Sequence, residues 1–251
     1  MNNSPFEQRP FESKKIREIH QPHNESLCEI ISHYQESYKE VECMKACLSY
    51  SGKSKEQATE ANEYLLRSQI IMAYSAFDLF MHEILYHGFD MMQRGKLDSS
   101  RRYKAFKFEK KENKIGFKEQ YKKSFGHETY VSRNWSDVII ALGFEPVKVA
   151  DLYNEKMKTS CRGNAALNNL NNELDNRATR RNNLVHAYDF DIYNGRQNAI
   201  DEKTSEDFVS FINGVVNSIC EYVDIQWNRG MNTFHGGKVC ERKEQSSRPQ
   251  I

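Results

Sequence analysis

Residues 180–190, RRNNLVHAYDF, hold the side chains of this chain best suited to chemistry. Arg181 and His186 have four residues between them, Asn182 follows the arginine, and Tyr188 comes two after the histidine. Arginine presents a rigid fork of donors that fits a phosphate and stays charged. Histidine titrates near neutrality and can take or give a proton. Placed in one cleft, the two suffice to cleave RNA. That polymer carries its own nucleophile, the 2′-hydroxyl. The protein then has to handle its proton and stabilise the charge on a phosphorane-like transition state. The expected products are a 2′,3′-cyclic phosphate and a 5′-hydroxyl. The scheme calls for no metal and no cofactor.

The spacing alone is a weak signal, because Arg-x4-His arises readily by chance in a chain with 8 histidines. It also carries a geometric condition. Five residues turn an ideal helix by about 500°, which leaves Arg181 and His186 about 140° apart. They converge only if the helix loosens near His186, or if two chains share a groove. Asn182, not Arg181, is the neighbour of His186 one turn away. On spacing alone, His186 reads equally as a helix-end histidine in a structural bundle, well placed against the C-terminal dipole. Tyr188 reads equally as a half-buried packing residue.

The elements that must position this stretch are helical. Residues 163–187 place Leu167, Leu170, Leu174, Ala178 and Val185 along one side, with six asparagines between Asn164 and Asn176 opposite. Residues 25–49 repeat apolar positions every three or four residues, which is an amphipathic helix. Residues 55–94 form the longest helical candidate, with Ser54 and Gln57 as a capping box. Its middle, SQIIMAYSAFDLFMHEILYHGF, is apolar nearly all round, so it is central to a bundle or buried at an oligomer interface. Asp78 and His82 are one turn apart within it. They read as a polar cleft lining, or as a satisfied pair at a solvated edge. His82 and His87 are five apart, not four, so HEILYH is no HExxH metal motif. Two short helices are expected over 134–158. A last one starts at a Thr204–Asp207 capping box and runs to about Trp227. No strand pattern and no internal repeat is visible.

The sum is an all-α protein, an antiparallel bundle of about four long helices with a basic, partly irregular insertion. The helical domain is expected over 25–229, between a mobile arm (1–24) and a polar tail (230–251). The insertion lies at about 96–134. From Arg101 to Lys123 it has ten Lys or Arg against three Glu, interleaved with aromatics. Arg101, Arg102, Lys104, Lys107, Lys110 and Lys111, with Arg180, would meet phosphates, and Tyr103 would stack an unpaired base. The same segment reads as a solvated insertion docked by its aromatics. A formal net charge of +1 confines any RNA surface to such a patch. The six cysteines form no framework, there is no secretory signal, and no stretch approaches about 20 apolar residues. A cytoplasmic protein without membrane contact is expected.

The stretch RRNNLVHAYDF resembles the signature of the HEPN superfamily, R-x4-6-H with a polar residue after the arginine. Leu184 and Val185 before the histidine fit it. SAFDLFMHEIL resembles the other long helix of such proteins, where a polar or acidic residue faces the motif; Asp78 is the candidate, with Glu83 behind it. Trp135 and Leu-Gly-Phe before the motif helix, with a capped apolar helix after it, look most like the RiboL-PSP-HEPN group. The resemblance covers roughly residues 55–227. It implies a metal-independent endoribonuclease, active as a homodimer with both motifs lining one interface cleft. Catalysis would rest on Arg181, Asn182 and His186, with Asp78 facing them. Members act as toxins or phage-defence effectors, so an antitoxin or defence-system partner is implied. Tyr188 extends the motif to R-x4-H-x-Y. In one toxin branch that tyrosine is modified by a partner nucleotidyltransferase, which makes it a candidate regulatory residue. The alternative is a non-catalytic HEPN-type module that binds RNA, a nucleotide or a protein.

Overall fold

The computed structural model describes residues 21–47, 55–105, 134–186, 190–191 and 196–236. Apolar residues at helical spacing produce α1 (Glu25–Cys47) and α2 (Lys55–Gln93). A short helix, α3 (Arg101–Ala105), opens the basic insertion. Then come α4 (Trp135–Ala141), α5 (Pro146–Lys156) and α6 (Gly163–His186). A two-rung antiparallel ladder of β1 (Phe190–Asp191) and β2 (Arg196–Gln197) precedes α7 (Glu202–Gly236). Gly143 stops α4 at φ +83°, a left-handed position that glycine takes without strain. Pro146 opens α5, where its missing N–H is no loss.

Helix directions follow from the contacts. His33 on α1 meets Glu83 on α2, while Gln69 of α2 donates to the Val41 carbonyl of α1. The two helices are therefore antiparallel. Ser205 of α7 donates to the Leu66 carbonyl, the Phe208 ring meets Tyr74, and Trp227 lies beside Gly88. α7 thus runs parallel to α2. Trp135 of α4 donates to Asn171 of α6, and α4 leads into Leu142 beside Gly88, near the end of α2. Further along α6, Arg177 lies over Phe211 and Phe208, near the start of α7. α6 is accordingly antiparallel to both. The expected antiparallel bundle of four long helices is the observed architecture: α1, α2, α6 and α7.

The core is shared by all four. Tyr34, Phe77, Phe80, Ile84, Leu174, Ile212, Val215 and Trp227 have 0–1% of their surface exposed. Gly88 is the closest approach: a Cβ there would come within 2.2 Å of Leu142 Cδ2.

Several boundaries differ from the sequence reading. α7 starts earlier than Thr204, because Asp201 is its cap: hydrogen bonds from the Thr204 side chain and from the Thr204 N–H, the latter at 2.7 Å, hold the Asp201 carboxyl below its usual range. α7 also continues past Trp227 and the expected domain end at 229, to Gly236. The small ladder was missed because two residues per strand are too few to show alternation. The available signal was Asn194-Gly195, a hairpin dipeptide, in the sequence between the rungs. On α6 the inward residue near the end is Leu184, not Val185, which is 41% exposed. On an ideal helix Val185 lies about 20° from Ala178, so the spacing puts it on the apolar side, and what differs is the cover the bundle gives the last turn of α6. α2 is not enclosed on all sides: Tyr64 and Leu79 are 54% and 42% exposed. The Ser54 cap and most of the arm, tail and insertion lie outside the described residues.

Two outcomes test this packing. Gly88→Ala must displace Leu142 and is expected to cost about 1–3 kcal/mol of unfolding free energy, read by chemical denaturation. The His33–Glu83 pair makes the second. The hydrogen bond and charge of Glu83, helped by Glu29 and Glu36, raise the His33 pKa above 6.5. The pair's contribution is full below pH 6.5 and is lost as pH rises through the raised value. His87, on the same face of α2, is lowered by burial against the pull of Glu29, Glu83 and Asp90, so its effect appears on acidification instead. His33→Gln is expected to flatten the stability profile on the alkaline side of pH 6.5 and leave the acidic side unchanged.

Candidate functional site

α6 is a polar helix with a narrow apolar stripe: Ala166, Leu170, Leu174, Ala178 and Leu184 are its buried residues. So little apolar surface needs help to hold the helix in place. Arg177 supplies part of it. Its guanidinium lies over the Phe211 ring, with Cζ 3.7 Å from the ring centre, and pairs with Glu173 one turn back. Trp135 fixes the other half through its 2.8 Å hydrogen bond to Asn171.

One turn beyond Arg177 comes Arg181. It is half-buried, its Nη1 donates to the Asn182 side-chain oxygen at 3.1 Å, and its Nε is shut off from water. Asn182 is also half-buried, and Arg180 beside it likewise. His186 is exposed and is the last residue of α6. The helix is unbroken from Arg181 to His186. It does not loosen before the histidine, so the two side chains leave it about 140° apart. Asn182 and His186 share one face, and Arg181 turns toward the core.

Asp78 stands elsewhere. It lies on α2, 32% exposed, with its carboxylate 3.9 Å from His82 Nε2. Arg177 and Tyr74 flank Phe208 and mark one level of the bundle. From there α6 rises nine residues to His186, while Asp78 lies four residues the other way. At 1.5 Å per residue the two are roughly 20 Å apart along the axis of one chain. The structure brings Arg181 and Asn182 together and does not bring Asp78 to them within one copy.

Of the basic patch, Arg101 and Lys104 are exposed on α3. Tyr103 is half-buried and packs edge-on against Phe89 at 5.4 Å, and burial raises its phenol pKa. Its ring docks α3 to the bundle. Arg102 lies on α3 too. Lys107, Lys110, Lys111 and Tyr188 lie outside the described residues. Among the described residues no group of three His, Cys, Asp or Glu could hold a metal ion, and no helix is long and apolar enough to cross a membrane.

A family model for RiboL-PSP-HEPN matches residues 35–224, well over half of the chain and across the whole of α6. The chain belongs to the RiboL-PSP-HEPN family. No curated protein and no solved structure matches it. The family span begins inside α1 and ends inside α7, so it takes in α2 and α6 whole and most of α1 and α7.

Sequence reasoning missed Arg67. It is 7% exposed, and donates to Glu63 and to the Asn198 carbonyl, both at 3.1 Å. The second bond ties the chain that follows α6 back to α2. Nothing in the local pattern signals it, because the partner is 131 residues away. Arg67→Met is expected to lower stability by about 1–3 kcal/mol. It should also speed amide exchange at 196–200, read by mass spectrometry, with the α1–α2 pair unaffected.

Proposed function

We propose that this HEPN protein is a metal-independent endoribonuclease. The observation that carries the reading is an exposed His186 at the end of α6. It stands one turn beyond an Asn182 that holds Arg181, in a chain of the RiboL-PSP-HEPN family. In the reaction His186 takes the proton of a 2′-hydroxyl. The 2′-oxygen attacks phosphorus, and the bond to the 5′-oxygen breaks as that oxygen gains a proton. Arg181 stabilises the charge on the five-coordinate phosphorus, and Asn182 orients the guanidinium. The ends left are a 2′,3′-cyclic phosphate and a 5′-hydroxyl.

Because Arg181 and His186 diverge on an unbroken helix, the reading places the site between two copies. His186 of one copy then works with Arg181 of the other, taking the 2′-proton and returning a proton to the 5′-oxygen. The outward stripe of α2 supports this arrangement: Tyr64 and Leu79 are exposed, Ile71 and Met72 partly so, and Asp78 lies among them. Asp78 would serve the motif of the partner, not its own. Arg101, Lys104 and Arg180 would steer the RNA backbone. A role as a toxin or phage-defence effector, with Tyr188 as a control point for a partner enzyme, completes the proposal. The burial of Arg181 is the observation that favours a second reading, a HEPN-type module that binds RNA or protein without cutting it.

The test uses purified protein and total cellular RNA in EDTA. The parent is expected to cleave and leave cyclic phosphates. His186→Ala and Arg181→Ala should each lose about 100-fold or more. Co-expressing the two variants should restore part of the activity, because mixed dimers keep one arginine and one histidine. Full cleavage by a homogeneous His186→Ala preparation would falsify the RNase reading. Tight RNA binding by an inactive parent would favour the binding module.

A further inference from the structure

A cleft of about 270 Å³ opens between α5, α6 and α7, away from the motif. Arg177, on its wall, is nine residues before His186, so the two face opposite sides of α6. The volume is at the small end of ligand sites, which run from roughly 300 Å³ upward. It suits one heterocycle, not an oligonucleotide.

Its walls are aromatic and its polar groups come in complementary pairs. Tyr153 of α5 and Phe211 of α7 meet edge-on at 5.5 Å. Tyr153 reaches this position because Gly214 is bare: a Cβ there would come within 3.0 Å of the tyrosine ring. Burial pushes the Tyr153 phenol up to about 12, so it stays neutral at physiological pH. From α6 come Asn169, Glu173 and Arg177, spaced one turn apart on a single ridge. Glu173 is half in water, with 53% of its side chain exposed, and Arg177 has 20%. Arg177 uses Nη1 on Glu173, while its Nε is shut off from water with no hydrogen-bond partner among the described residues. Held by Glu173 through Nη1 and by the Phe211 ring, the guanidinium forms a fixed part of the wall.

We propose that this cleft binds a guanine-type base. The net charge of the lining is zero, since Glu173 and Arg177 cancel, so a neutral ring is favoured over an isolated anion. The wall offers a carboxylate acceptor next to a guanidinium donor. Guanine matches that order, with N–H donors on one edge and the O6 and N7 acceptors on the other, the pair most often read by arginine. Tyr153 supplies an apolar face for the ring, beside a Phe211 ring that Arg177 already covers. Adenine, cytosine and uracil lack the adjacent acceptor pair or the adjacent donor pair. The base comes either from a free nucleotide or from an unpaired position in RNA, and the chemistry is the same. The proposal does not rest on the RNase reading.

Calorimetric titration of the full His186→Ala chain with guanosine, adenosine, cytidine and uridine tests it, with no dependence on turnover. Guanosine is expected to bind saturably and at least tenfold better than the others. Glu173→Gln is isosteric and on the surface, so it should keep the parent melting temperature and lose tenfold or more in guanosine affinity. Asn169→Leu, at the exposed mouth, is the second variant and should weaken binding too. Competition between guanosine monophosphate and a short single-stranded RNA with one guanine separates the two sources. Displacement assigns the base to RNA, and simultaneous binding assigns it to a free nucleotide. Absence of saturable binding by any nucleoside, or equal binding of all four that Glu173→Gln leaves unchanged, would overturn the proposal.

Discussion

The bundle depends on buried polar side chains that set the register of its helices. Apolar burial drives the helices together but is non-directional, and a Leu or Phe stripe packs almost as well one turn along. Hydrogen bonds in the interior are not so tolerant, because a buried group left unpaired costs free energy. At one end Ser205, fully buried, donates to the Leu66 carbonyl and the Gln69 side chain, and Gln69 reaches the Val41 carbonyl. In the middle Tyr34 donates to Asn213. At the far end the Asp224 carboxylate, 2% exposed as a residue, accepts the backbone N–H groups of His23 and Asn24, where α1 begins. Polar contacts at three levels thus lock α1, α2 and α7 against sliding, and only one register satisfies all of them.

The motif helix is placed by this frame more than by itself. α6 has few apolar residues, and its position is taken from α7 through the stacking of Arg177 on Phe211 and from α4 through Trp135. The consequence is a division of labour along one helix. Arg177 and Arg181 face inward, where a guanidinium can be held still. His186 emerges at the helix end, exposed to solvent. A charged side chain held by packing loses less freedom on binding phosphate than a loose one, which is a general advantage of such placement.

Two faces of the bundle then differ in kind. The outward stripe of α2 is apolar with scattered polar groups and resembles the centre of a protein interface. The opposite side, between α5 and α7, has a small cleft walled by rings and a carboxylate–guanidinium pair. α6 carries both the motif residues and one wall of that cleft, so anything that shifts α6 along its axis reaches the cleft and the motif together.

The all-α class and the long helices were legible in the sequence, because each is a local property. Helical spacing of apolar residues survives any tertiary context, and RRNNLVHAYDF stands in one unbroken piece. What tertiary structure decided was direction and distance. Whether α6 loosens before His186, whether Asp78 can face the motif of its own chain, and whether Tyr103 stacks on a base or on Phe89 all turn on contacts between residues far apart in sequence. Arg67 meeting Asn198, and Arg177 meeting Phe211, are of the same kind. Periodicity says which face of a helix is apolar. It says nothing of which neighbour covers that face, and the chemistry of a site depends on the neighbour.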